Sequence, residues 1–373
     1  MKTLVVIGAG EGAMPILERA RTLDYVRTLV FGMADSAGRT LADEFVELDI
    51  HEIGKIVEAC RERNVDGIIA SSETTTEITA IVANRLGLPG NDITGGFAAR
   101  NKYIMRSRVA KLKSVKQPRF SLYEEGAVYD YPVVVKALDN CAKRGISIAY
   151  GKEDIADAVA YARKYSSNGQ ALVEEYIEGG TEYSVECLAG CGLHEVIQIT
   201  EYESYGPPHF SETAHHQPAA LTPAMRAKVV EAVCDVLKVL GINYGMAHME
   251  IKIVDGNIYF IEVGARAAGG HIADTLVPNS TDFDYFKAAI DCCLGQYEHK
   301  DVHNVACSGI YFRCSKNAYL KPLFDQAKTA SWCVSYLANT EGFPVTNNGY
   351  DTVNTGHIAY RSDHKITIDD CQS

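Results

Sequence analysis

Apolar and polar positions follow two rhythms along the first ninety residues. Four apolar runs of strand length, TLVVIGA, TLVFGMA, FVELDI and GIIASS, predict strands. Between them MPILERARTL and IGKIVEACRER, and after them ITAIVANRLG, carry apolar residues at helical spacing. Strand and helix in alternation predict an α/β, doubly wound parallel sheet with helices on both faces. The stretch 95–119 reads as a connector that ends at Gln117-Pro118. Beyond it RFSLYEE, YPVVVKALDN, ALVEEYIE and TEYSVECLAG predict strands around one helix over DIADAVAYARKY, a small α+β unit. From 191 to 263 come HEVIQITEYES, an amphipathic helix over PAMRAKVVEAVCDVLKVLG, and the strand pair MEIKIV and NIYFIEV. Asp255-Gly256 joins that pair and suits a type I′ turn, so an antiparallel hairpin is predicted. The tail, about 301–373, carries short strand patterns in SGIYFRC and HIAYRS.

The first strand runs into Gly8, Gly10 and Gly12. Such a turn lets backbone N–H groups approach a pyrophosphate at a helix N-terminus, and Asp35 stands at about the distance of a ribose-binding acid. A dinucleotide site, and with it an NAD-linked oxidoreductase, is one reading. The same turn also opens doubly wound domains that bind no dinucleotide.

With 373 residues the chain has room for two or three domains. A net charge of −12 argues against nucleic acid as the main partner. It leaves room for a local basic pocket, and RNKYIMRSRVAKLKSVKQPR (100–119) contains no acid. Taken alone, that stretch reads as a solvated helix face before it reads as a wall of a polyphosphate site. No apolar run is long enough to span a membrane and the N-terminus has no signal-peptide pattern, so no membrane partner and a cytoplasmic location are expected. Eleven scattered cysteines without a CxxC pair read as free thiols in a reducing compartment.

The hairpin carries the sharper chemistry. Glu250 begins one strand and Glu262 ends the other, so antiparallel pairing about Asp255-Gly256 sets them side by side. Adjacent carboxylates repel unless a cation lies between them. GARAAGG follows, with Arg266 placed to reach a phosphate and glycines that permit close backbone approach. Lys136 interrupts the apolar strand YPVVVKA, where a charge is costly without a partner. Together these predict a site for magnesium, or manganese, and a polyphosphate.

In that order the pieces resemble the ATP-grasp superfamily along nearly the whole chain. The resemblance implies an N-terminal Rossmann-like domain at 1–97, an ATP-grasp domain at 98–300 with a lid at about 115–182 and an antiparallel-sheet core at about 183–300, and a C-terminal subdomain at 301–373. NKYIMR is similar to the segment whose lysine, Lys102, holds an ATP phosphate. YPVVVKALDNCAKRGIS is similar to the second lysine, Lys136, and the loop over the phosphates, where Lys143 or Arg144 adds charge. LVEEYIEGGTEYSVE resembles the adenine and ribose strand, which places Glu174, Glu175, Tyr176 and Ile177 at the adenine and Glu182 at the ribose. The hairpin gives Glu250 and Glu262 as magnesium ligands and Arg266 as a phosphate or intermediate contact. Two features depart from the pattern: the phosphate loop has only Gly145, and Gly264 stands where the family often has a metal-ligating asparagine.

The resemblance implies activation of a carboxylate as an acyl phosphate and its transfer to an amine. FSETAHHQPAAL is similar to a segment of L-amino acid (dipeptide) ligases in which Glu212 and His215 lie by the substrates; His216 reads as structural. Glu73, Gly269, Gly270 and His271 are further substrate-contact candidates, and His248 flanks the hairpin. Small-molecule carboxylates and amines are the expected partners, and such folds are compatible with a homodimer. Alternatives are a carboxylase-type or purine-pathway enzyme activating bicarbonate or formate, a non-catalytic nucleotide-binding regulator, and the NAD-linked oxidoreductase.

Overall fold

The computed structural model describes residues 1–141, 144–207, 212–338 and 356–371. Three sheets organise them. The first is parallel and is built from β1 (Lys2–Ile7), β2 (Val26–Gly32), β3 (Glu44–Glu47) and β4 (Gly67–Ala70) in the order β3-β2-β1-β4. Leu4–Ile7 form an unbroken apolar run because both faces of this sheet are covered. Helices Ile53–Glu62 and Thr76–Leu86 pack on the face of Val5 and Ile7. Helix Met14–Ala20 packs on the face of Leu4 and Val6, together with Tyr285–Cys293 from far along the chain.

The glycines of the first turn answer to packing. Gly8 has φ +82°, and a Cβ at Gly12 would stand 2.4 Å from the Ser71 carbonyl oxygen at the end of β4. Only glycine lets the turn lie this close to the neighbouring strand end.

The stretch 95–119 is more structured than a connector. It contains the end of helix Ile93–Ala98 and all of helix Lys102–Val109, whose first turn is capped by Asn101 Oδ1 accepting the Ile104 N–H at 3.1 Å. Lys102, Met105, Arg106 and Val109 form the buried stripe of that helix, so two of its cations point inward.

The second sheet contains β5 (Phe120–Leu122), β6 (Val133–Ala137), β7 (Ile146–Ala149) and β8 (Ala171–Glu175), antiparallel in the order β5-β8-β6-β7. Helix Ile155–Tyr165 covers one face through Ala158, Val159 and Ala162.

The third sheet is antiparallel. It is formed by β9 (Thr181–Gly190), β10 (Leu193–Ser204), β11 (Glu212–Gln217), β12 (Gly245–Val254), β13 (Asn257–Gly264), β14 (Cys307–Phe312), β15 (Cys333–Ala338) and β16 (Gly356–Ser362). Their order is β13-β12-β9-β10-β11-β14-β16-β15, so the tail strands extend the same sheet through the β11–β14 pairing. Helix Pro223–Leu240 backs it, burying Val229, Val233, Val236 and Leu237 against Val185, Ile199, Met249 and Phe260.

The predicted hairpin is present. Asp255 (φ +48°) and Gly256 (φ +73°) give the two positive values a type I′ turn requires. Glu250 pairs with Glu262, but Ile251 pairs with Phe260, which makes Ile261 the extra residue of a β-bulge. The bulge lets Glu262 share a face with Glu250 while Phe260 joins Ile251 in the core.

Candidate active site

The three sheets meet around one cavity of about 840 Å³. The first turn contributes Glu11, Gly12 and Pro15, and the loop after β4 contributes Ser71, Ser72 and Glu73. The second sheet supplies Lys136, Glu174 and Glu175, and the hairpin supplies Glu250 and Glu262. The glycine turn therefore forms one rim of a cleft shared with the other two sheets.

Charges lie close together along its floor. Lys102 Nζ donates to the Asn140 carbonyl at 2.7 Å and lies 3.2 Å from Glu262 Oε2. Burial alone would raise the Glu262 pKa, but Lys102 and then Lys136 outweigh it and hold the carboxyl below its ordinary range. Arg266 donates to the Glu73 carboxylate at 3.1 Å and to the Ala267 carbonyl at 2.9 Å, tying the hairpin to the first sheet.

Glu174 sits behind this floor. Its carboxylate accepts from Arg106 Nε at 2.6 Å and pairs with Lys136 Nζ at 2.7 Å. Burial would raise its pKa, yet Arg106 and Lys136 more than offset that and bring it down to about 2. Both Glu174 oxygens are thus committed to cations, so this side chain, which also lines the cavity, fixes Lys136 in place. The other predicted adenine-side residues, Glu175, Tyr176 and Ile177, line the cavity, as does Glu182. Lys252 lies among them, with Nζ donating to the Ile177 carbonyl at 2.8 Å and 3.9 Å from Glu182.

At the other end Glu212, His271, Gly269 and Gly270 line the wall with Tyr202 and Phe312. His215 is not itself a lining residue. It is fully buried beneath Glu212, with Nε2 2.9 Å from Glu212 Oε2 and its ring stacked on Tyr202 at 4.5 Å. His216 points to the opposite side of β11, where Tyr360 and Glu203 hold its two ring nitrogens. His271 has φ +62° and lies 3.4 Å from Asp274.

Arg144, expected over the phosphates, is exposed and is not itself a lining residue; its Nε donates at 3.4 Å to the carbonyl of Cys141, which does line the cavity. Lys143 lies outside the described residues. Three charged residues escaped the sequence reading: Arg106, Lys252 and Glu186. Arg106 stands one helical turn after Lys102, Lys252 two strand positions after Glu250, and Glu186 four after Glu182. Each shares a face with a residue already singled out, and that periodicity was the available signal.

Glu186 is fully buried and accepts from Ser184 Oγ at 3.0 Å, with His248 Nδ1 at 2.9 Å. Burial would lower the His248 pKa, but Glu186 outweighs it and raises the value to about 10. The imidazole is therefore a cation at neutral pH, with Nε2 3.6 Å from Glu250 Oε1.

Among the described residues no group of three or more His, Cys, Asp or Glu side chains is arranged to hold a metal by itself. The Glu250–Glu262 pair offers hard carboxylate donors beside Lys102 and Arg266, which fits magnesium that takes its remaining ligands from a polyphosphate and water. At Gly264 a side chain would meet Arg266 at 3.4 Å, so the room an asparagine would use is bounded by the arginine. No helix among the described residues is long and apolar enough to cross a membrane.

Comparison with known proteins agrees with this architecture. Residues 129–274 match the ATP-grasp domain family. Carnosine synthase 1 of Mus musculus is 23% identical over 314 residues, which cover 74% of this chain and 38% of that protein. Dapdiamide A synthase of Enterobacter agglomerans is 28% identical over 226 residues, covering 55% of this chain and 51% of that protein. The chain thus spans about half or less of these curated relatives. The crystal structure of L-amino acid ligase from Bacillus licheniformis superposes with a TM-score of 0.80 at 21% identity, covering 100% of this chain and 95% of the other. The chain as a whole has the ATP-grasp fold.

Proposed function

We propose that this protein is an ATP-dependent carboxylate–amine ligase that activates a carboxylate, an amino acid in the favoured case, as an acyl phosphate. One observation carries the reading: Glu250 and Glu262 face each other in a cavity that also presents Lys102, Lys136 and Arg266. The similarity to carnosine synthase, dapdiamide synthase and L-amino acid ligase supports amino acids as the substrate class.

In this reading Lys102 and Lys136 bind phosphate oxygens of ATP, and Glu174 keeps Lys136 aimed at them. Glu250 and Glu262 would hold magnesium, which when bound neutralises charge on the polyphosphate. A substrate carboxylate oxygen attacks the γ-phosphorus, the bond to the β-phosphate oxygen breaks, and ADP leaves. Arg266, held by Glu73, stabilises the acyl phosphate and the oxyanion formed when an amine adds to its carbonyl carbon. Phosphate then departs as the amide forms. Glu212 faces the cavity with His215 behind it, and in this reading it binds the incoming ammonium and takes up its proton.

The test is ADP release from Mg²⁺–ATP across single amino acids, amino-acid pairs and small carboxylates, with hydroxylamine as a trap. A hydroxamate from one acid identifies both the acyl phosphate and the donor, and Glu262→Gln abolishes the signal. Tight ATP binding without ADP release on any acid, bicarbonate or formate would overturn the ligase reading in favour of a nucleotide-binding regulator.

A further inference from the structure

Three neighbouring strands set out a small grid on the cavity face. Because side chains repeat every second residue along a strand, positions two apart share a face. In one row Ser184 of β9 pairs with Glu250 of β12, which pairs with Glu262 of β13. In the next row Glu186 pairs with His248, which pairs with Gly264. The first row contains the proposed metal carboxylates. The second contains a buried carboxylate, an imidazole and a gap.

The second row is unusual for an interior strand. Glu186 is fully buried, and its Oε2 has no hydrogen-bond partner. A carboxylate in such a place is costly, and the groups it does engage indicate what it serves. Its Oε1 receives Ser184 Oγ and faces His248 Nδ1 at 2.9 Å. With Nδ1 engaged, the planar ring has one orientation left, and Nε2 lies 3.6 Å from Glu250 Oε1. The missing side chain at Gly264 leaves Arg266 alongside, in ordinary contact with that position at 3.4 Å or more. His248 is confined on one side by Glu186 and along its strand by Glu250.

We propose that Glu186 and His248 are positioning residues for Glu250: the buried carboxylate fixes the imidazole, and the imidazole fixes the rotamer that Glu250 presents opposite Glu262. This rests on the ligase reading, since it assigns Glu250 to the metal. The arrangement adds one link to the familiar case in which an outer carboxylate orients a metal-binding side chain. A purely structural Glu186 would stabilise the strand pair and leave metal affinity alone. The positioning role couples a residue buried out of reach of solvent to the metal site.

The experiment measures Mn²⁺ binding by electron paramagnetic resonance in the presence of a non-hydrolysable ATP analogue. It uses the full chain as wild type, Glu186→Gln, His248→Asn and Ser184→Ala, with thermal melting run beside it. Outer positioning groups change metal affinity about 10- to 100-fold, so Glu186→Gln and His248→Asn are expected to weaken Mn²⁺ binding by at least about tenfold. Binding of the analogue without metal stays the same, and Ser184→Ala, which keeps the Glu186–His248 contact, shifts metal affinity less than threefold. Folded variants with wild-type Mn²⁺ affinity overturn the positioning role and leave the ligase reading standing. A wild-type chain that binds no Mn²⁺ with the analogue overturns both. Should the two central variants fail to fold, a wild-type structure with Mn²⁺ and the analogue decides: His248 retained between Glu186 and a metal-bound Glu250 supports the role, and a ring turned away from Glu250 refutes it.

Discussion

Replacing Glu174 by glutamine probes the charge cluster behind the cavity floor. The substitution keeps the volume and removes the anion that Arg106 and Lys136 share; those cations are only 1% and 7% exposed. The carboxyl's pKa stands at about 2 against an ordinary 4.5. At about 1.4 kcal/mol per unit, that depression corresponds to roughly 3 kcal/mol of folding stability at neutral pH. Breaking a buried pair by removing one partner costs about 3–5 kcal/mol, an independent route to a similar figure. The sign of the pH dependence follows. Because the folded pKa is the lower one, the contribution is complete above the unfolded value of 4.5 and is lost as pH falls through about 2. The gap between wild type and Glu174→Gln should therefore be about 3 kcal/mol at pH 7 and shrink to about 2 kcal/mol by pH 3.5. Urea denaturation followed by circular dichroism at both pH values measures it. A loss below about 1 kcal/mol at pH 7, or a gap that widens in acid, would show that the cluster does not hold Lys136 as argued.

Other outcomes follow from single contacts. Gly12→Ala should destabilise by about 1–3 kcal/mol, because its Cβ would meet the Ser71 carbonyl at 2.4 Å, while Gly10→Ala, with nothing within 4 Å, should change the melting temperature little. Lys102→Met removes the ammonium beside Glu262 and should weaken binding of an ATP analogue roughly ten- to a hundredfold by calorimetry, the worth of one charged hydrogen bond. In the native chain a thiol reagent should label exposed Cys191 and spare Cys187 and Cys292, whose burial pushes their pKa values up; mass spectrometry of the labelled peptides reads this directly.

The hairpin was legible because its turn chemistry and its carboxylates lie close together in sequence. Lys136 was legible for a related reason: a charge inside an apolar strand requires a partner. That partner, Glu174, was visible as a residue, but its commitment to Arg106 is a contact across 68 positions, and no local pattern contains it. Arg106 itself was hidden in a run of basic residues that resembles a solvated face. Only the apolar neighbours Met105 and Val109 mark which side of that helix is buried. The helix over 102–109 reads as a connector because four of its eight residues, Lys102, Arg106, Ser107 and Arg108, are polar. Glu186 followed the alternation of a half-exposed strand, and its complete burial depends on the packing of β9 between β10 and β12. The extra residue at Ile261 leaves no compositional trace, since an isoleucine fits a regular strand equally well.

The continuity of the large sheet has an evolutionary consequence. Its order places β13 at one margin and the tail strands β14, β16 and β15 at the other, joined through a single ladder between β11 and β14. The tail brings Phe312 and the His357 ring, 4.5 Å from His271, to the end of the cavity that Glu212 and His271 line, while β9, β12 and β13 carry the carboxylates. Among the described residues the segment 307–362 is tied to the rest by that ladder, by its packing and by a few side-chain bonds such as Arg361–Asp282 and Tyr205–Ser315. On the proposed ligase reading, substrate preference would be a transplantable module, and descent with swapped tails would diversify products while the phosphate chemistry stayed inherited.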